Sequence, residues 1–188
     1  FGDAEPSGRL PVTFPRVTGQ IPIYYNALPA GRDVNGYYGD DGKYMRNYED
    51  CSGTPMYPFG YGLSYTEFEY SEPYCEKRTL SLAELKNGQK FKVTATVKNT
   101  GGRDGAQTVQ CFVHDVISSM TRPLKELKGF EKKFIRTGES ANFEFEIGYD
   151  ELGFYASDSV FTAEPGEFEI YIGSDCTADK FVTVTVTE

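Results

Sequence analysis

Residues able to do acid–base or nucleophilic chemistry are numerous in this 188-residue sequence but poorly grouped. The 28 Asp and Glu residues exceed the 19 Lys and Arg residues, giving a formal charge of -9. Many acids fall on alternate positions of apolar runs: Glu144, Glu146, Glu167 and Glu169 each sit between core-type residues. Alternation of this kind turns them toward solvent and away from a shared catalytic pocket. His114 is the single histidine, which excludes a multi-histidine metal site and leaves one conceivable base for a Ser-His-Asp arrangement. No nucleophile motif surrounds it. By alternation it shares a face with Gln110 and Phe112, opposite the core. Cys51, Cys75, Cys111 and Cys176 never form a C-x-x-C pair, which argues against zinc and redox motifs. Cys111 reads as a small buried apolar residue, and Cys75 and Cys176 could pair if the ends of the fold meet. Asp40-Asp41-Gly42 lacks the alternating acids of a calcium loop. No cofactor or metal site is expected, and no catalytic residue is assigned.

One stretch has the composition of a binding surface, from Asn35 to Asp50. Tyr37, Tyr38, Tyr44 and Tyr48 could stack on a sugar ring while Asp40 and Asp41 accept hydroxyl hydrogen bonds, as at a pocket rim. An interdomain loop would have the same composition.

The elements that would position these residues separate into two unlike parts. From Phe68 onward the apolar pattern has period two: Phe91-Val93-Ala95-Val97, Val109-Cys111-Val113, Phe143-Phe145-Ile147, Phe168-Ile170-Ile172 and Val182-Val184-Val186. Asn87-Gly88, Thr137-Gly138, Pro165-Gly166 and Gly173-Ser174-Asp175 punctuate the runs with residues suited to chain reversal. Leu124–Ile135 and Leu152–Phe161 are less regular candidates. This pattern predicts an all-β fold, an immunoglobulin or fibronectin type III-like antiparallel β-sandwich, over residues 67–188. Residues 1–66 are rich in Pro, Gly and Tyr, and only Leu10–Phe14 and Ile21–Tyr25 resemble strands. Such a segment cannot form its own core and is expected to pack on something larger. The opening Phe1-Gly2-Asp3-Ala4 reads as the middle of a loop, so a fragment is expected and the compartment is left open. The acidic balance would repel a phosphate backbone, and no apolar run approaches the roughly 20 residues that cross a bilayer. Nucleic acid and membrane are not expected partners.

Three stretches carry a resemblance. Pro6-Ser7-Gly8-Arg9-Leu10-Pro11-Val12-Thr13-Phe14-Pro15 is similar to a segment near the end of the α/β sandwich domain of glycoside hydrolase family 3. Pro55-Met56-Tyr57-Pro58-Phe59-Gly60-Tyr61-Gly62-Leu63-Ser64-Tyr65-Thr66 resembles the motif that closes that domain. Thr121-Arg122-Pro123-Leu124-Lys125-Glu126-Leu127-Lys128-Gly129-Phe130, with Glu164-Pro165-Gly166-Glu167-Phe168, resembles the family's fibronectin type III-like domain. The resemblance implies that 1–66 is the tail of the α/β domain with its linker and that Phe59, Tyr61 and Tyr65 sit at a domain junction. It also implies that the family's nucleophilic aspartate and its acid/base lie in sequence preceding this stretch. Retaining hydrolysis needs two carboxylates about 5 Å apart, so the chain alone is expected to be inert. Its partners would be the barrel and α/β domains of a β-glucosidase or β-xylosidase type enzyme, with an oligo- or aryl-glycoside as the intact enzyme's substrate. The alternative is a stand-alone β-sandwich module that binds carbohydrate or a surface. The absence of Trp weakens it, because such modules often stack sugars on indole rings.

Overall fold

The computed structural model describes residues 2–28 and 51–188. Among the described residues, a single 3-10 turn (Thr18–Gln20) is followed by eleven strands and two short α-helices: β1 (Phe68–Tyr70), β2 (Tyr74–Cys75), β3 (Thr79–Ser81), α1 (Leu82–Lys86), β4 (Phe91–Asn99), β5 (Gly105–Asp115), β6 (Glu126–Ile135), β7 (Ser140–Ile147), α2 (Tyr149–Leu152), β8 (Phe154–Tyr155), β9 (Phe161–Thr162), β10 (Gly166–Gly173) and β11 (Phe181–Thr187). In the smaller sheet β4 pairs with β1 and β2 and, separately, with β7. The larger sheet has the order β3-β11-β10-β5-β6. Pairing is antiparallel except at one edge, where β3 runs parallel to β11.

The period-two runs face each other across the sandwich, as an inward-facing alternation requires. Phe91, Val93 and Val97 from β4 and Phe143 and Ile147 from β7 are buried against Val109, Cys111 and Val113 of β5. Phe168, Ile170 and Ile172 of β10 and Val182, Val184 and Val186 of β11 complete this core. Burial pushes the Cys111 thiol far up from its ordinary value, which suits a packing role.

Departures from the sequence expectation have local causes. Leu152–Phe161 breaks into the end of α2 and the hairpin β8–β9. A side chain at Gly153 would meet the Phe161 ring at 2.4 Å, so the chain turns tightly there. Leu10–Phe14 yields a single bridge, Phe14 to Tyr57, instead of a strand, and Ile21–Tyr25 forms none. Cys75 and Cys176 are not joined by a disulfide, so that pairing does not occur.

Candidate functional site

The motif from Pro55 to Thr66 runs back along Leu10–Phe14, which supplies the hydrogen bonds that a lone irregular segment would lack. Phe14 N–H donates to the Tyr57 carbonyl at 2.9 Å and Met56 N–H to Phe14 at 2.8 Å. Leu10 N–H reaches Tyr61 O at 2.9 Å and Gly60 N–H returns to Leu10 O at 2.8 Å. The pair of segments then lies on the outer face of the larger sheet. Gly60 is the point of closest approach. Its φ is +85°, and a Cβ there would sit 2.4 Å from the Gln110 amide nitrogen and 2.9 Å from the Asp175 Cα. Only glycine meets both demands.

Around Gly60 the contacts are specific. Gln110 Nε2 donates to Ser174 O at 2.7 Å and toward Gly60 O at 3.3 Å. Cys176 N–H donates to Phe59 O at 3.1 Å. The Phe59 ring stacks on Tyr25, with centroids 4.2 Å apart, and Tyr25 meets Phe112 edge-on at 6.1 Å. The Tyr25 hydroxyl accepts from Leu127 N–H at 3.3 Å. Arg9 donates to Gln107, whose amide donates to the Tyr70 hydroxyl at 2.6 Å. Burial pushes the Tyr70 phenol up to about 12, so it remains neutral at physiological pH.

These contacts correct one sequence expectation. Gln110 and Phe112 lie on the phase opposite the core, yet they are 3% and 0% exposed because the N-terminal segment covers them. His114, on the same phase, is half-buried, and its Nδ1 is enclosed without a hydrogen-bond partner. Of the three junction aromatics, Phe59 and Tyr61 are half-buried. Tyr61 stacks on Tyr57 with centroids 4.9 Å apart. Tyr65 is 53% exposed, with Arg103 at 5.6 Å from its ring, and its backbone N–H donates to Glu5 at 3.0 Å. Tyr37, Tyr38, Asp40, Asp41, Tyr44 and Tyr48 lie outside the described residues.

Among the described residues three charged side chains, Asp115, Arg122 and Lys125, are buried where the sequence pattern gave no sign of it. Lys125 is 3% exposed, and its ammonium stands 3.9 Å above the Tyr171 ring while donating to Ala178 O. Burial draws its pKa down to about 8. Arg122 is sealed at the β5 end of the core, pairing with Asp115 at 2.9 Å and Glu126 at 2.8 Å and donating to Leu152 O at 2.8 Å. Asp115 is held above the usual carboxylate range by burial, with Arg122 opposing the shift. The signal available in sequence was the unbroken charged run Lys125-Glu126 beside Arg122-Pro123, which alternation alone could not place. Glu144, Glu146 and Glu167 are exposed and Glu169 half-exposed. Among the described residues, no group of three His, Cys, Asp or Glu side chains is placed to hold a metal ion.

A two-sheet sandwich that wears an irregular, glycine-pinned segment on one face defines a fibronectin type III-like domain with an appended tail. Residues 107–176 match the fibronectin type III-like domain profile, and residues 1–65 match that of the glycosyl hydrolase family 3 C-terminal domain. The chain belongs to the C-terminal region of glycoside hydrolase family 3. It is 44% identical over 175 residues to the periplasmic β-glucosidase of Salmonella typhimurium, covering 93% of this chain and 22% of that protein. It is 38% identical over 187 residues to a β-xylosidase of Formosa agariphila, covering 100% of this chain and 24% of that one. The crystal structure of a β-glucosidase from Listeria innocua superposes with a TM-score of 0.87 at 35% identity, over 100% of this chain and 25% of that chain. The chain thus spans about a quarter or less of the length of these relatives.

Proposed function

We infer that this chain is the non-catalytic C-terminal portion of a family 3 exo-glycosidase of β-glucosidase type. Residues 1–66 form the tail of its α/β domain with the linker, and residues 67–188 form the sandwich that braces the catalytic domains. The Tyr- and Asp-rich stretch from Asn35 to Asp50 contributes to the rim of the substrate pocket in the intact enzyme. The observation that carries the reading is the docking of the N-terminal segment through Gly60 and Phe59 onto the larger sheet, which ties a tail without its own core to a domain that has one.

The other side of that segment supports the same view. Leu10, Phe14, Tyr57, Tyr61 and Leu63 line an open groove of about 550 Å³, and Phe14 and Ile21 are 45% and 63% exposed. Apolar surface of this kind marks an interaction face, here for the body of the α/β domain. The test incubates this chain and the intact parent separately with aryl β-glucosides and aryl β-xylosides. Turnover is expected from the parent alone. Hydrolysis by the isolated chain would overturn the assignment.

A further inference from the structure

At the end of the sandwich away from the linker, a cleft of about 440 Å³ opens between α1 and α2. Its size falls in the range of small-ligand sites, roughly 300–1,000 Å³. The two ends of the domain are well separated. β4 begins at Phe91, next to the cleft residue Lys90, and ends at Asn99, whose side chain accepts from the linker residue Thr66 at 2.7 Å. Nine extended residues cover roughly 27 Å. The cleft is therefore separated from the linker by the length of β4.

Glycine shapes both walls. Gly88 has a φ of +86°, and a Cβ there would meet nothing within 4 Å, so the wall stands back from the opening. Gly148 leaves room for the Lys90 stem, whose Cγ would lie 3.0 Å from a Cβ. Leu85 is buried beneath, and Tyr149 is half-buried beside it. The Tyr149 ring is fixed edge-on by Phe161 at 6.0 Å. Lys86 reaches it only at 5.9 Å, the outer limit of a cation–π contact, so a flat ligand face displaces little by taking that place.

The charges decide the ligand class. Lys86 and Lys90 are balanced by Asp150 and Glu151 among the lining residues. Lys90 is paired with Glu146 at 3.1 Å, and Glu151 accepts from Gly148 N–H at 2.8 Å. A balanced set favours neither an anion nor a cation. It offers both donors and acceptors beside an aromatic ring, which suits a pyranose, with hydroxyls around its edge and C–H groups on its face. The Gln89 amide oxygen accepts from Lys77 at 3.1 Å, which turns the opposite, donating end of that amide to other partners.

The geometry points to this cleft as an accessory site for a neutral oligosaccharide, with one pyranose against the Tyr149 ring and its hydroxyls bridging Lys86, Gln89 and Asp150. The site needs no catalytic group and would hold a neighbouring stretch of substrate or another glycan near the enzyme. With tyrosine in place of tryptophan and one ring in contact, binding is expected in the millimolar range.

The test is an amide chemical-shift titration of the full chain with cellopentaose and, separately, xylopentaose to about 10 mM. Saturable shifts on residues 85–90 and 148–151 with either sugar are expected. Tyr149→Ala should weaken binding about tenfold, Tyr149→Phe should retain most of it, and Gln89→Ala should weaken it roughly threefold. Should Tyr149→Ala lose its dispersed spectrum by unpacking Phe161, the exposed variants Gln89→Ala and Lys86→Ala decide. No shifts with either sugar, shifts confined to other surfaces, or unchanged affinity in Gln89→Ala and Lys86→Ala would overturn the site. The readout involves no turnover, so it stands or falls separately from the glycosidase assignment.

Discussion

The outer faces of the two sheets have the same alternating sequence pattern and opposite fates. On the smaller sheet, Lys92, Glu144 and Glu146 project from β4 and β7 into solvent, linked by side-chain contacts of 3.7 and 3.8 Å. On the larger sheet, Gln110 and Phe112 of β5 occupy the corresponding phase and are buried. The difference comes from residues far away in the chain. Leu10–Phe14 and Pro55–Thr66 are tied to each other by backbone hydrogen bonds, and Gly60 lets them approach the sheet to within contact of Gln110. Alternation identifies a core-facing side; it does not say whether the other side meets water or chain.

The strongest way to break the contrast is to hollow the covered face. Phe112→Ala should destabilise the chain by about 3–5 kcal/mol, the range for a fully buried phenylalanine, whereas Thr96→Ala on the solvated face should change stability by under about 0.5 kcal/mol. Urea unfolding of both variants measures the difference. A small loss for Phe112→Ala would mean that the segment does not cover that face in solution. Next in size is Gly60→Val, expected to cost roughly 2–4 kcal/mol because it combines a positive φ with a Cβ placed against Gln110 and the Asp175 backbone. Its signature should be early proteolytic cleavage within residues 1–66 while the sandwich stays resistant, which a general loss of stability would not produce.

The sandwich was legible because its five main runs, from Phe91 to Val186, obey a local rule of period two, and each was bounded by turn residues. The docked face was not legible because it depends on two segments meeting β5 across 50 and more residues of sequence, as in the Gln110 to Gly60 contact. A trace of it was present: Phe112, Phe130 and Tyr171 stand where solvated strands carry Lys, Glu or Thr. Of these, Phe112 is covered, Tyr171 lies beneath Lys125, and Phe130 remains 69% exposed beside the groove that Leu10, Pro11 and Phe59 line. The burial of Arg122 and Lys125 was not legible for a related reason. Charged residues default to the surface, and partners from elsewhere in the fold, among them the carboxylates of Asp115 and Glu126 and the carbonyls of Leu152 and Ala178, make their burial acceptable.

Lys125 also gives the covered face a pH dependence of its own. Its pKa is about 8 when folded, against 10.5 for the ordinary amine. Between those values the unfolded chain holds a proton that the folded chain has released, so this group makes stability rise with pH across that window. Below pH 8 both states are protonated and the contribution is flat. Chemical denaturation between pH 7.5 and 10.5 should show this rise in the parent chain relative to Lys125→Met, which lacks the titrating group. Parallel curves would mean that the lysine has an ordinary pKa and lies nearer water than its packing on Tyr171 implies.

The smallest expected effect belongs to the solvated face and sharpens the comparison from the other side. Lys90 meets Glu146 at 3.1 Å, and Lys92 approaches both Glu144 and Glu146, all four side chains being more than two-fifths exposed. Exposed pairs of this kind contribute about 0–1 kcal/mol because water screens the charges and long side chains lose freedom in meeting. Glu146→Gln removes contacts to both lysines and keeps the shape of the side chain, so it should lower stability by less than about 1 kcal/mol. Salt should shrink even that difference, since the Debye length falls to about 3 Å at 1 M. Stability measured with and without 1 M sodium chloride checks both points. A loss above 2 kcal/mol that persists in salt would show that these charges are shielded from water, and that the smaller sheet, too, carries a cover on its outer face.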